Sequence, residues 1–175
     1  RNVDQFGIRV NYQGTGSSDG RNQFRNGTVD FAVTEIPYGL KDGNVIDQPP
    51  NRKYAYMPIV AGGTSLMYNL TISGKRVTNL RLSGLTVAKI FTGTIKSWND
   101  PAIKADNPGL SMPSRRIVPV VRSDGSGTTN NFIKPLNAFS TKWTVNDSFT
   151  TAIPGGSTAV AGFGAAFQGQ SGSAN

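Results

Sequence analysis

Ile117-Val118-Pro119-Val120-Val121 runs straight into Arg122-Ser123-Asp124-Gly125-Ser126-Gly127-Thr128-Thr129, and the reading of this junction governs the fold. The first five residues form an apolar strand. The next eight are a turn of Gly, Ser and Thr, and from Thr128 to about Ala138 the pattern turns helical, with Phe132 and Leu136 on one face. A helix start presents N–H groups with no acceptor inside the helix and a partial positive charge. Glycine lets the backbone approach an anion closely, and Ser or Thr hydroxyls add donors. Arg122, at the mouth of the turn, contributes a planar fork of charged donors.

The same form occurs once before. Ile8 to Tyr12 alternates like a half-buried strand, Gly14-Thr15-Gly16-Ser17-Ser18-Asp19-Gly20 is a second small-residue turn, Asp19 to Arg25 reads as a helix and Val29 to Val33 as the next strand. Each turn alone is more simply a plain helix cap. The pair together with Arg122 balances that reading against an anion site, because a tetrahedral oxyanion needs donors from several directions. Neither turn is a nucleotide motif: no Gly-Lys-Ser/Thr follows, and Gly14-Thr15-Gly16 lacks the third glycine of a dinucleotide fingerprint. Glu35 lies just past the strand ending at Val33, at the edge where open α/β sheets hold ligands. From position alone it reads as an exposed loop acid. Beside a bound anion, a carboxylate makes sense when the anion carries a proton, as phosphate does near neutral pH and sulfate does not.

Outward from the turns, Lys41 to Lys53 is a polar loop containing Pro49-Pro50, leading into a strand over Tyr54 to Val60. Ile59 to Tyr68 reads as one strand interrupted by Gly62-Gly63. Ser83 to Phe91 reads as a capped helix with Leu85, Ala88 and Phe91 on one face and Gly93 as its stop. Asp100-Pro101 opens a short helix to about Lys104, and a last helix covers Thr158 to Phe167. Alternating short strands and helices predict an α/β architecture with helices packed on a sheet. The expected division is a partial first lobe over residues 1–58 and a second lobe over residues 59–175.

The 175 residues include 18 Lys plus Arg against 10 Asp plus Glu, a formal charge of +8, and neither Cys nor His. Without thiolates or imidazoles, hydrolytic triads and zinc chemistry lose their usual residues. No metal site, cofactor or catalytic residue is therefore assigned. Charged residues make up 16% of the chain, while Gly (21) and Pro (10) are abundant, a balance that suits an exported protein. No stretch approaches the roughly 18 apolar residues of a spanning helix, and the opening Arg1-Asn2-Val3-Asp4 has no signal-peptide pattern, so any such peptide is expected to have been removed. Lys and Arg are spread along the chain without a basic run interleaved with aromatics, which argues against nucleic acid as a partner.

The chain resembles the periplasmic phosphate-binding proteins of ABC phosphate importers. The resemblance is carried by Asn11-Tyr12-Gln13-Gly14-Thr15-Gly16-Ser17-Ser18-Asp19-Gly20, Thr28-Val29-Asp30-Phe31, Phe91-Thr92-Gly93-Thr94-Ile95-Lys96-Ser97-Trp98-Asn99-Asp100 and Val121 to Thr128. It implies a two-lobed sandwich of the type II periplasmic-binding fold that closes on dehydrated phosphate and passes it to a membrane permease. In this chain Ser17, Glu35, Arg122, Ser126, Gly127 and Thr128 would bind phosphate, with Gly16 and Ser18 supporting and Asp124 holding Arg122. The implied location is periplasmic or extracellular, either free, membrane-anchored or at the cell surface.

Two differences from the family are visible. Glu35 stands where the family carries Asp, and the family's first Gly-Ala-rich turn and its C-terminal part are not within these residues. A first lobe so reduced would leave strand edges open, so a second chain or segment completing the fold, or a swapped or dimeric assembly, is expected. The alternative function is a cell-surface or sensory domain that keeps the fold with weak or no phosphate binding.

Overall fold

The computed structural model describes residues 2–3, 7–42, 45–139, 142–163 and 168–172. Its elements in chain order are β1 (Asn2–Val3), β2 (Arg9–Val10), α1 (Ser17–Asn26), β3 (Lys41–Asp42), β4 (Val45–Ile46), β5 (Thr71–Ile72), β6 (Lys75–Arg76) and α2 (Gly84–Phe91). They continue with α3 (Pro101–Asp106), β7 (Val120–Arg122), α4 (Gly127–Phe139), α5 (Phe149–Ala152), α6 (Gly156–Phe163) and β8 (Gln168–Gln170). Three ladders are local antiparallel pairs, β1 with β2, β3 with β4 and β5 with β6. The fourth is parallel and long-range, with Val120, Val121 and Arg122 opposite Gln168, Gly169 and Gln170 and three helices in between. This crossover makes the architecture α/β.

Local chemistry explains the helices. Ser83 accepts the Thr86 N–H at 3.3 Å and starts α2, and Asp100 accepts the Ala102 N–H at 2.9 Å with Pro101 in the first turn of α3. Helix α1 ends at Gly27, whose φ of 76° suits a residue without a Cβ. The predicted helix over 158–167 begins earlier, at Gly156, and its last positions, 164–167, lie outside the described residues.

Two apolar clusters form the core, both within residues 70–153. Leu70, Val77, Ile90, Ile95, Trp98, Ile103, Met112 and Ile117 make one; Val87, Ala88, Ile133, Leu136, Trp143, Phe149, Ala152 and Ile153 make the other. Helix α2 serves both, Ile90 facing the first and Val87 and Ala88 the second. That two-sided grip corrects the predicted face of α2: Leu85 is 48% exposed, because the helix buries Val87 and Ile90 instead. Full burial of side chains such as Ile133 and Leu136 contributes about 1.5–3 kcal/mol each.

The strands differ more from expectation. Ile8 to Tyr12 is reduced to β2, and Val29 to Val33 is not a strand at all, with Phe31 and Val33 exposed. Tyr54 to Tyr68 is likewise irregular, and all of it before Tyr68 faces outward, with Met57 78%, Val60 85% and Met67 99% exposed. A strand exists through a neighbour's hydrogen bonds, and beyond Arg9–Val10, which pair with β1, no residue of these stretches has a ladder partner among the described residues. At Ile117–Val121 the ladder starts only at Val120. Pro119 has no N–H to give, and the Ile117 N–H donates instead to the Lys96 carbonyl at 2.9 Å, beside the Ser97–Arg116 bridge. Before Leu70, the described apolar side chains that are buried are Ile36 and Pro50.

Candidate functional site

The two small-residue turns, more than 100 residues apart in sequence, meet. Gly16 shows the contact most directly: a Cβ there would lie 2.9 Å from Asp124 Oδ2, 3.1 Å from Arg122 Nη2 and 3.1 Å from the Gly125 carbonyl, and its φ of 90° already favours glycine. Gly127 is as tightly placed on the other side, where a Cβ would stand 2.6 Å from Ser17 Oγ and 2.7 Å from Glu35 Cβ. Small residues are thus needed for the backbones to approach, a constraint that a plain helix cap does not impose.

Each candidate side chain is held by its neighbours. Arg122, at the end of β7, donates from Nε to Asp124 Oδ1 at 2.6 Å and from Nη2 to Asp124 Oδ2, a two-point contact that fixes the guanidinium plane. The hydrogen bond from Arg122 holds the Asp124 carboxyl below its usual range, and the same bond raises the already high pKa of Arg122. Both groups stay charged at neutral pH. Ser17, nearly buried at the start of α1, accepts the Glu35 N–H through Oγ at 3.2 Å. Glu35 turns its carboxylate across the gap, where Oε2 accepts from the Thr128 hydroxyl at 2.8 Å.

Helix α4 begins at this point. Its first turn leaves the Gly127 and Thr128 N–H groups without acceptors inside the helix, beside the positive end of the helix dipole. Ser126 behaves differently from the expected donor. Its Oγ accepts the Thr129 N–H at 3.3 Å as a cap, and its own N–H donates to the Asp147 carbonyl at 2.9 Å. Ser126 therefore shapes the helix start with its hydroxyl and anchors the turn with its amide. Around these groups lies an open cleft of about 950 Å³, with Ser17, Glu35, Arg122, Ser126, Gly127 and Thr128 all in its lining. One guanidinium, two hydroxyls, a helix start and one carboxylate that can accept a hydrogen bond form a donor-rich site suited to a small protonated oxyanion.

Two residues of this region escape sequence reading. Arg21 is buried, donates from Nη1 to the Pro37 carbonyl at 2.7 Å and pairs through Nη2 with Asp47 Oδ2 at 3.4 Å and Asp147 Oδ2 at 3.5 Å. Asp147 also accepts from the Ser18 hydroxyl. Arg21 stands four positions after Ser17 and so shares its helix face, a local signal that could have marked it. Asp147 gives no such signal, because the long-range fold alone brings it to α1.

The family model described as a PBP superfamily domain matches residues 3–171. Among curated proteins, the chain is 38% identical over 134 residues to phosphate-binding protein PstS 3 of Mycobacterium leprae, covering 77% of this chain and 35% of that protein. It is 39% identical over 141 residues to phosphate-binding protein PstS of Pasteurella multocida (79% of this chain, 38% of that protein). With PstS2 of Mycobacterium bovis it shares 40% identity over 137 residues (77% and 36%). The chain spans a little over a third of the length of these relatives. With nearly every residue inside the family match and an α/β crossover leading into the Arg122 turn, the chain belongs to the PBP superfamily.

Proposed function

We propose that this chain binds inorganic phosphate in the cleft between two lobes, residues 1–58 and 59–175, as the binding component of an ABC-type phosphate importer working outside the cytoplasm, and that it is not an enzyme. The carrying observation is the convergence of Ser17, Glu35, Arg122 and the Gly127–Thr128 helix start on one cleft from three distant parts of the chain. The printed names of the relatives, phosphate-binding proteins, support the same ligand. No helix among the described residues is long and apolar enough to cross a membrane.

The chemistry follows from the donor set. Phosphate oxygens take the Arg122 guanidinium, oriented by Asp124, and the N–H groups of Gly127 and Thr128, while the Ser17 hydroxyl, and the Thr128 hydroxyl once it turns from Glu35 to the ligand, fill the remaining directions. Glu35 then accepts a hydrogen bond from the P–OH. Sulfate has no proton to give, so its oxygen would face the Glu35 carboxylate as an unpaired like charge. Closure of the two lobes would remove water and strengthen each of these contacts.

Calorimetric titration with phosphate and with sulfate, on the wild type and on Arg122→Ala, tests this reading. Phosphate should bind and sulfate should not, and the substitution should weaken phosphate by at least about tenfold, the scale of a lost charged hydrogen bond. Equal binding of the two anions would remove the proton-reading role from Glu35. No phosphate binding by the folded chain would sink the proposal.

A further inference from the structure

Ser18, Arg21 and Asp147 link α1, the segment after Glu35 and the Ser126 turn, yet none of them lines the cleft. Asp147 accepts from the Ser18 hydroxyl on α1 through Oδ2, and its backbone carbonyl accepts the Ser126 N–H at 2.9 Å, so one residue grips the first turn by its side chain and the second by its main chain. Arg21, 3.5 Å away, extends the grip to the third component: Nη1 donates to the Pro37 carbonyl, two residues beyond Glu35. The Tyr38 hydroxyl closes the loop by donating to the Arg21 carbonyl at 2.6 Å. Gly125 fits between the turns because a Cβ there would stand 2.5 Å from Ser18 Oγ and 3.4 Å from Asp147 Oδ2.

Asp147 is itself firmly seated. The buried Asn146 accepts the Ser148 N–H at 2.8 Å through Oδ1, Ser148 caps α5, and Phe149 is in the second apolar cluster. The charge count fits a node rather than a surface pair. The Arg21 guanidinium is buried against two carboxylates, Asp47 and Asp147, so removing Arg21 would leave two acids uncompensated, whereas without Asp147 the guanidinium keeps Asp47 as its counter-charge.

We propose that Asp147, acting with Arg21 and Ser18, is the positioning residue that keeps Ser17, Glu35 and the Ser126–Thr128 helix start in register across the cleft. The inference rests on reading the cleft as an anion site, but its geometry can be tested separately. In the full chain, Asp147→Ala should lower phosphate affinity about tenfold, the scale of one charged hydrogen bond. Asp147→Asn, whose amide oxygen can still accept from Ser18, should recover part of that loss. Ser18→Ala should add little on top of Asp147→Ala, since the two act through one contact. Amide hydrogen exchange at Ser126 and Glu35 should quicken in Asp147→Ala, a change that a general loss of stability, spread over α2 and α4 alike, would not single out. Wild-type affinity in Asp147→Ala, or fully additive effects with Ser18→Ala, would overturn the proposal and leave phosphate binding standing. If the wild type bound no phosphate, the functional reading would fall, and the exchange data with the Ser18–Asp147 coupling measured in urea unfolding would still decide the node. Should Asp147→Ala not fold, Asp147→Asn and Ser18→Ala carry the same comparison.

Discussion

At Gly127 two preferences oppose each other, and their magnitudes show which one governs. As a helix residue it would be improved by alanine, by roughly 0.5–1 kcal/mol. As the floor between Ser17 and Glu35 it has no space, with an added Cβ 2.6–2.7 Å from both. Overpacking of that kind costs about 1–3 kcal/mol, so the steric term prevails. Gly127→Ala should lower the urea midpoint modestly, equivalent to about 1 kcal/mol, and weaken phosphate binding far more, because Ser17, Glu35 and Thr128 must all shift. Titration and urea unfolding on the same preparation check this; unchanged binding would mean that the turns do not meet as described. Much of the candidate site is legible at this scale. Arg122, Ser17 and Glu35 stand beside turns whose glycines and hydroxyls announce themselves locally, and the fold brings them together. Asp147 and the amide role of Ser126 were not legible, since each depends on a partner distant in sequence.

Elements divide along the same line. The starts of α2 and α3 could be read because Ser83 and Asp100-Pro101 carry their signals within one turn of chain. Strands such as Val29–Val33 could not, because alternation records which side faces inward and says nothing about whether a neighbour is there to bond. The face of α2 was misjudged for a related reason: periodicity offers one stripe, while two clusters claim this helix from different sides. The cap of α2 is also tied to a second element, as the Ser83 N–H donates to Asp106 Oδ2 at 2.8 Å at the end of α3, and this bond is the largest influence lowering the Asp106 pKa. Ser83→Ala should therefore cost about 1 kcal/mol from the lost cap, seen as a lower thermal midpoint with phosphate affinity nearly unchanged, since α2 does not reach the cleft. A drop in affinity as large as that of Arg122→Ala would show that the helix layer and the site are coupled.

Over the whole molecule, stability is unevenly distributed. Both apolar clusters lie in residues 70–153, and the described stretch from Lys53 to Met67 is exposed throughout, with tyrosines, methionines and branched residues turned to water. The first part of the chain is attached chiefly through polar contacts at the site itself: Glu35 with Thr128, and Arg21 and Ser18 with Asp147. Such contacts contribute little net free energy each, whereas clustered apolar burial accumulates. Opening of the cleft should therefore cost much less than unfolding of the core, and a ligand that binds only the joined arrangement should shift that balance. Amide exchange followed by mass spectrometry would report this directly. Without ligand, segments 86–91 and 129–136 should exchange slowly, 54–67 fast and the two turns in between. Saturating phosphate should slow both turns and the Glu35 segment together while leaving 54–67 fast, because ligand contacts lock the cleft without supplying that stretch with a strand partner. Protection appearing in one turn alone would mean that the anion sits on a single helix start, and the two-sided site would have to be abandoned.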